Sequence, residues 1–114
     1  MKKFYSLLIL VCFVLSTRAQ TTYTWQGANN ASWAVSTNWT PTRTTPAAND
    51  ILQFNDGTSK TITALVTQTV GTISVTNNTT IVLQAAAART ITVGNGTGTD
   101  LTIATGSSLT LSTN

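Results

Sequence analysis

The stretch 72-TISVTNNTTIVLQ-84 holds two short runs that alternate aliphatic residues with threonine or serine, joined by Asn77-Asn78. Ile73 and Val75 share one side of the first run, and Ile81 and Leu83 share one side of the second. Successive side chains of a strand point to opposite faces, so this alternation marks strands with one buried face and one hydroxyl-bearing face. The same writing continues outward. "TIT" stands at 61, "TITV" at 90, "LTIA" at 101 and "LTLS" at 109, which pairs Ile91 with Val93, Leu101 with Ile103 and Leu109 with Leu111. "GNGTGTD" at 94–100 and "GSS" at 106–108 separate the later runs as turns.

The first aliphatic residues fall at 73, 81, 91, 101 and 109. Alternate runs then sit 18 to 20 positions apart, a period that points to stacked repeats. Such a unit cannot bury its own apolar face, so several must stack. The expected fold is all-β: a parallel β-helix, or solenoid, with aliphatic ladders inside and threonines outside. A β-sandwich is the alternative, since strands every 8–12 residues also suit it. The short runs, irregular turns and lack of aromatics after Phe54 favour the solenoid. "LQAAAART" at 83–90 reads as a corner with room for one helical turn, being too short for a lasting helix.

Upstream the writing changes. Residues 1–19 carry a cationic start, an apolar run over Phe4–Leu15 broken by one serine, and small residues at Thr17 and Ala19. This is the plan of a secretory signal peptide cut after Ala19, and the run is shorter than a membrane span. A lipoprotein anchor at Cys12 is disfavoured by Val11 and by the short apolar run before it. Removing the leader takes Lys2, Lys3, Arg18 and Cys12. The remainder balances Arg43, Lys60 and Arg89 against Asp50, Asp56 and Asp100, so the formal charge of +3 belongs to the leader. No basic footprint for nucleic acid or anionic membrane is left, no mature transmembrane segment is expected, and no disulfide can form. Twenty-five threonines take the place of surface charge in the mature chain.

Residues 20–57 hold all three tryptophans, Trp25, Trp33 and Trp39, together with Phe54. "DILQF" at 50–54 is the one clear strand there, closed by the turn Asn55-Asp56-Gly57. The chain accordingly divides into a leader (1–19), a tryptophan-rich cap (20–57) and solenoid coils (58–114). The four aromatics are the candidate site. They read either as a lid on the open apolar end of the solenoid or as a contact surface for glycans, with aromatic faces against sugar rings.

Other chemistry has little to stand on. The chain has no histidine and no glutamate, and its three mature acids are scattered. Glycoside hydrolysis needs two carboxylates at a set separation. No catalytic residue, metal ligand or cofactor is expected. "GNGTGTD" is a single copy of a pattern that binds calcium only in tandem, and reads as a turn. The "TIT" pairs at 61 and 90 do not recur often enough to form an ice-ordering threonine array. Asn-x-Ser/Thr triplets at Asn30, Asn38, Asn77, Asn78 and Asn95 are what an Asn- and Thr-rich chain contains by chance.

The pattern formed by Trp25, Gly27, Trp33, Asn38, Trp39, Asp50 and Phe54, followed by Thr/Gly/Asn-rich runs, resembles the N-terminal start of a bacterial surface-protein group. These are autotransporter-like β-strand-repeat proteins with a pectin-lyase-like right-handed β-helix. The resemblance spans residues 22–114. It implies a right-handed coil, a non-enzymatic structural or adhesin-like role and a place outside the cell or on the outer membrane of a Gram-negative bacterium. A leader ending in Ala-Gln suits a Bacteroidetes-type export signal. Expected partners are host or environmental glycans or surface proteins. Members of the group are longer, so the pattern that stops at "LTLSTN" is expected to be a fragment, and its bare edge invites edge-to-edge self-association. The alternatives are a carbohydrate-binding module using exposed tryptophans and the N-terminal part of a polysaccharide-degrading β-helix enzyme.

Overall fold

The computed structural model describes residues 19–94 and 98–114. The expected leader, apart from Ala19, lies outside the described residues, as do Asn95, Gly96 and Thr97 of the glycine turn. The described chain is all-β, with ten strands and one short 3-10 turn at Ser36–Asn38. In chain order the strands are β1 (Thr22–Trp25), β2 (Trp39–Thr40), β3 (Ile51–Phe54), β4 (Ser59–Ile62) and β5 (Gln68–Val70). They continue as β6 (Thr72–Val75), β7 (Thr80–Ala85), β8 (Ile91–Val93), β9 (Leu101–Ile103) and β10 (Ser108–Thr113).

Three sheets result, ordered β2-β1-β3-β6-β9, β4-β7-β10 and β5-β8. Every ladder is parallel except β1 with β2. From β3 onward the chain visits the three sheets in turn, twice over, and then returns to the first two in β9 and β10. Stacked partners therefore recur at every third run and not at alternate runs. Ile73 lies beside Leu101 and Ile81 beside Leu109. The sequence reading matched alternate runs because their first aliphatic residues, at 73, 81, 91, 101 and 109, fall at nearly even intervals that do not distinguish two runs per repeat from three.

The spacing is uneven for a local reason. Ile51 pairs with Thr72, 21 positions on, whereas Ile73 pairs with Leu101, 28 positions on. Gly71 alone joins β5 to β6, while the connection from β8 to β9 spans 94–100. By contrast, the corner between the first and second strands of each unit keeps its length: residues 55–58, 76–79 and 104–107. Gly57, Asn78 and Gly106 occupy the same place in it, with φ of 72°, 56° and 81°. That left-handed conformation suits glycine and asparagine. In the second and third corners the next residue, Thr79 or Ser107, carries a hydroxyl that accepts from the preceding unit. Gly57 N–H donates to Thr79 Oγ1 (2.9 Å), and Thr79 N–H to Ser107 Oγ (3.2 Å). Thr79 is fully buried in this role.

Inward residues line up in rows across the strands. Phe54, Val75 and Ile103 form one row, and Ile62, Leu83 and Leu111 another. Each row is buried at its start and opens at its end: Ile62 and Leu83 are fully covered, and Leu111 is 66% exposed. Lys60 takes the place next to Ile81 in a third row. Its aliphatic stem is partly covered, and its ammonium leaves the row to pair with Asp56.

Two expectations about local structure are corrected. The expected corner with room for one helical turn at 83–90 is strand as far as Ala85, because Val82, Leu83 and Gln84 pair with Thr110, Leu111 and Ser112. The residues before 50 are not strandless: β1 and β2 form there and carry the first sheet. The two "TIT" segments do not form a threonine ladder with each other, as the sequence reading expected: Thr61 faces Val82 and Thr92 faces Thr69. Leu83→Ala should cost about 2–5 kcal/mol in urea unfolding. Leu111→Ala, one strand further in the same row, should cost under about 1 kcal/mol because little area is removed from water. Equal losses would contradict the graded burial.

Candidate functional site

The four aromatics named from sequence come together as one cluster. Trp39 is at its centre, with ring centroids 4.9 Å from Trp25, 5.1 Å from Trp33 and 5.7 Å from Phe54. All three contacts are edge-on, at 80°, 87° and 65°. Edge-to-face contact sets a positive ring edge against a negative face, which favours this arrangement over flat sandwiches. Trp33 stacks more nearly parallel to Phe54, with centroids 6.4 Å apart at 29°. Trp39 Nε1–H donates to the Trp33 carbonyl (3.2 Å), while buried Trp25 Nε1 meets no acceptor.

Local sequence explains how the rings arrive. The antiparallel pair β1–β2 sets Trp25 directly opposite Trp39. Gly27 lies so close to the Trp25 indole that a Cβ there would run into the ring. The spacing Trp25-Gln26-Gly27 thus reflects a backbone that folds back over its own tryptophan. Residues 29–33 then run along the free edge of β4. Asn30 N–H donates to Thr61 O, Thr63 N–H to Ala31 O and Trp33 N–H to Thr63 O, at 2.8, 2.9 and 2.8 Å. Asn29 Oδ1 accepts the remaining N–H, from Thr61, at 2.7 Å.

Burial decides what the cluster offers a ligand. Trp25 and Trp33 are 3% exposed, Trp39 2% and Phe54 1%. No indole face is available to stack on a sugar ring.

A second group, to which the sequence reading gave no role, underlies the cluster. The Arg43 guanidinium is 5.5 Å from the Trp39 ring centre and 5.7 Å from that of Tyr23. Arg43 Nε donates to Asp50 Oδ2 at 2.8 Å, and Nη1 and Nη2 both donate to Gln68 Oε1 at 3.3 and 3.2 Å. Asp50 Oδ2 also accepts Ala47 N–H, and the Asp50 carbonyl takes Gly71 N–H and Thr72 N–H. Both Arg43 and Asp50 are buried. A buried ion pair with added hydrogen bonds ties the proline-bearing loop to the first and third sheets. The seven-residue separation gave no sequence signal. The one hint was that so few charges survive in the mature chain.

Asp50 and Asp56 are thus both committed to cations. Burial pushes the Asp56 carboxyl up, but hydrogen bonds from Lys60 and Thr58 outweigh it and hold the pKa below 3.8. Among the described residues no three His, Cys, Asp or Glu side chains gather in a way that would hold a metal ion. Among the described residues no helix is long and apolar enough to cross a membrane.

Removing Arg43 leaves a buried carboxylate without its counter-charge. Arg43→Ala should therefore cost about 3–5 kcal/mol in denaturant unfolding. Lys in its place should not restore that loss, because an ammonium cannot serve Asp50 and Gln68 together over two rings. A neutral Arg43→Ala variant would contradict the assignment. No protein-family model, curated protein or solved structure matches this chain.

Proposed function

We propose that this chain is an exported, non-enzymatic structural segment of a bacterial cell surface. In this reading it is a right-handed parallel β-solenoid whose tryptophan cluster closes one end, and it serves as the start of an adhesin-like stalk. The observation that carries the reading is the in-register parallel stacking of β3, β6 and β9, and of β4, β7 and β10, over continuous apolar rows. A sandwich of hairpins would be built on antiparallel ladders, and β1–β2 is the single one present among the described strands. Right-handedness follows from the general preference of parallel crossovers. The leader-like residues 1–19 support export.

The aromatic cluster fits a lid better than a binding platform. Four rings, each able to bury about 150–250 Å², cover the apolar rows where β1 and β3 begin them. The outward residues of the strands are largely threonine and serine, so the flanks are neutral and hydroxyl-rich. Contacts with glycans or other surface proteins would be made there, polar and individually weak. The polysaccharide-enzyme reading is weakened by Asp50 and Asp56, each held in an ion pair.

Tryptophan emission tests the reading. The exported chain should emit at short wavelength, resist acrylamide quenching and keep its spectrum when soluble glycans are added. A glycan-dependent shift would return the tryptophans to a sugar site, and release of unsaturated or reducing sugars from polysaccharide would make the chain an enzyme. Trp33→Ala should open the cluster and cause aggregation on gentle heating. A monomeric variant with an unchanged melting temperature would count against the lid.

A further inference from the structure

The corner between β7 and β8 stands free of the sheets it joins. Residues 86–90 read Ala-Ala-Ala-Arg-Thr, and all five are exposed. Among the described residues, none forms a backbone hydrogen bond with Ala86, Ala87, Ala88 or Arg89. Bonding resumes at Thr90, whose N–H donates to Thr67 Oγ1 (3.2 Å) and whose carbonyl accepts Gln68 N–H (3.0 Å). Arg89 takes part in neither of the ion pairs, Arg43–Asp50 and Lys60–Asp56. The exposure belongs to the outer side of this corner in general. Counting back two residues from the pair Gln68–Ile91 sets Val66 beside Arg89. Val66, with that neighbour stacked on it, is still 42% exposed.

We propose that the Arg89–Thr90 peptide bond is a processing site for a trypsin-type endopeptidase outside the cell, and that the cut chain stays assembled. Exposed tips of small residues are where folded chains are nicked. A free guanidinium is what the carboxylate-bearing pocket of such an enzyme takes. Water adds across the bond: its oxygen joins the Arg89 carbonyl carbon as a carboxylate, and the nitrogen leaves as the Thr90 ammonium. That ammonium can still donate to Thr67 Oγ1. The other basic residues of 20–114 are closed to the same enzyme. Arg43 is buried with its guanidinium bonded to Asp50 and Gln68. Lys60 lies in a strand partnered on both edges, by residues 29–33 and by β7.

The topology explains why the pieces hold together. β8, β9 and β10 follow the bond, and their ladders run to β5, β6 and β7, which precede it. None of the three pairs with another. Every ladder of the later piece therefore crosses the cut, and Ile91, Val93 and Leu109 pack on the buried core of the earlier piece. The site rests on the fold alone; only the meeting with a protease outside the cell rests on the exported role proposed above.

Limited trypsin digestion of the purified folded chain is the test, with fragments identified by mass spectrometry. Within residues 20–114 the bond after Arg89 should be cut first, roughly a thousandfold faster than those after Arg43 or Lys60, which open only with the fold. The nicked chain should co-elute with the intact chain in native gel filtration and separate in urea. Arg89→Gln should resist, Arg89→Lys should still be cut, and both should keep the circular dichroism spectrum. A chain left intact under conditions that cut its urea-unfolded form overturns the site. So does cutting at Arg43 or Lys60 as early as at Arg89. Pieces that part in native gel filtration overturn the assembled state. A chain cut at Arg89 in vitro but retained inside the cell keeps the site and loses the extracellular protease.

Discussion

A strand in a parallel ladder cannot be partnered by its immediate neighbour through a tight turn; its partner arrives only after a long connection. Here that constraint governs the whole molecule. Each strand after β3 waits for the chain to pass through two other sheets before its partner appears, and each apolar residue is covered by a row-mate more than twenty positions away. Cohesion between units is therefore almost entirely long-range. The start of such a stack has no preceding unit to lean on. The aromatic cluster, the antiparallel pair β1–β2 and residues 29–33 together supply what a preceding unit would have supplied.

The Arg43–Asp50–Gln68 group is the polar complement of that closure. A loop with two prolines cannot bond continuously along a sheet edge, and the Thr40–Pro41 peptide is cis. Side chains take over where backbone pairing stops. Arg43 reaches β5 through Gln68 and the aromatic cluster through Trp39, so one guanidinium joins two sheets and a loop. Few other charges are kept, and those at Asp56 and Lys60 neutralise each other at a corner.

The residues of this chain announce strands well and partners poorly. Alternation at Ile73/Val75 and Ile81/Leu83 is a local property, and it marked the buried faces correctly. Register depends on how much chain lies between strands, and that was hidden in the difference between Gly71 alone and the connection over 94–100. The runs at 73, 81, 91, 101 and 109 are nearly evenly spaced, so the count of strands per repeat came out one short. The alanines at 85–87 have helical propensity, yet Ala85 sits where a small residue fits beside Thr113 at the end of a ladder. Tryptophan clustering was visible, but whether the rings faced in or out was not, because it depends on Gly27 and on the path of residues 29–33. The Arg43–Asp50 contact is a product of tertiary structure alone.

The unequal corners carry a consequence for where the length of such a chain can vary. The four-residue corner with its left-handed position keeps its length, and at Thr79 and Ser107 its hydroxyl meets an amide of the adjoining unit. The passage from third to first strand varies from one residue to seven without disturbing either ladder. Within this chain the differences in length fall at that one vertex, while the other keeps four residues each time. The irregular spacing of the runs thus arises at the connection from the third sheet to the first, and the parallel ladders on either side of it stay in register.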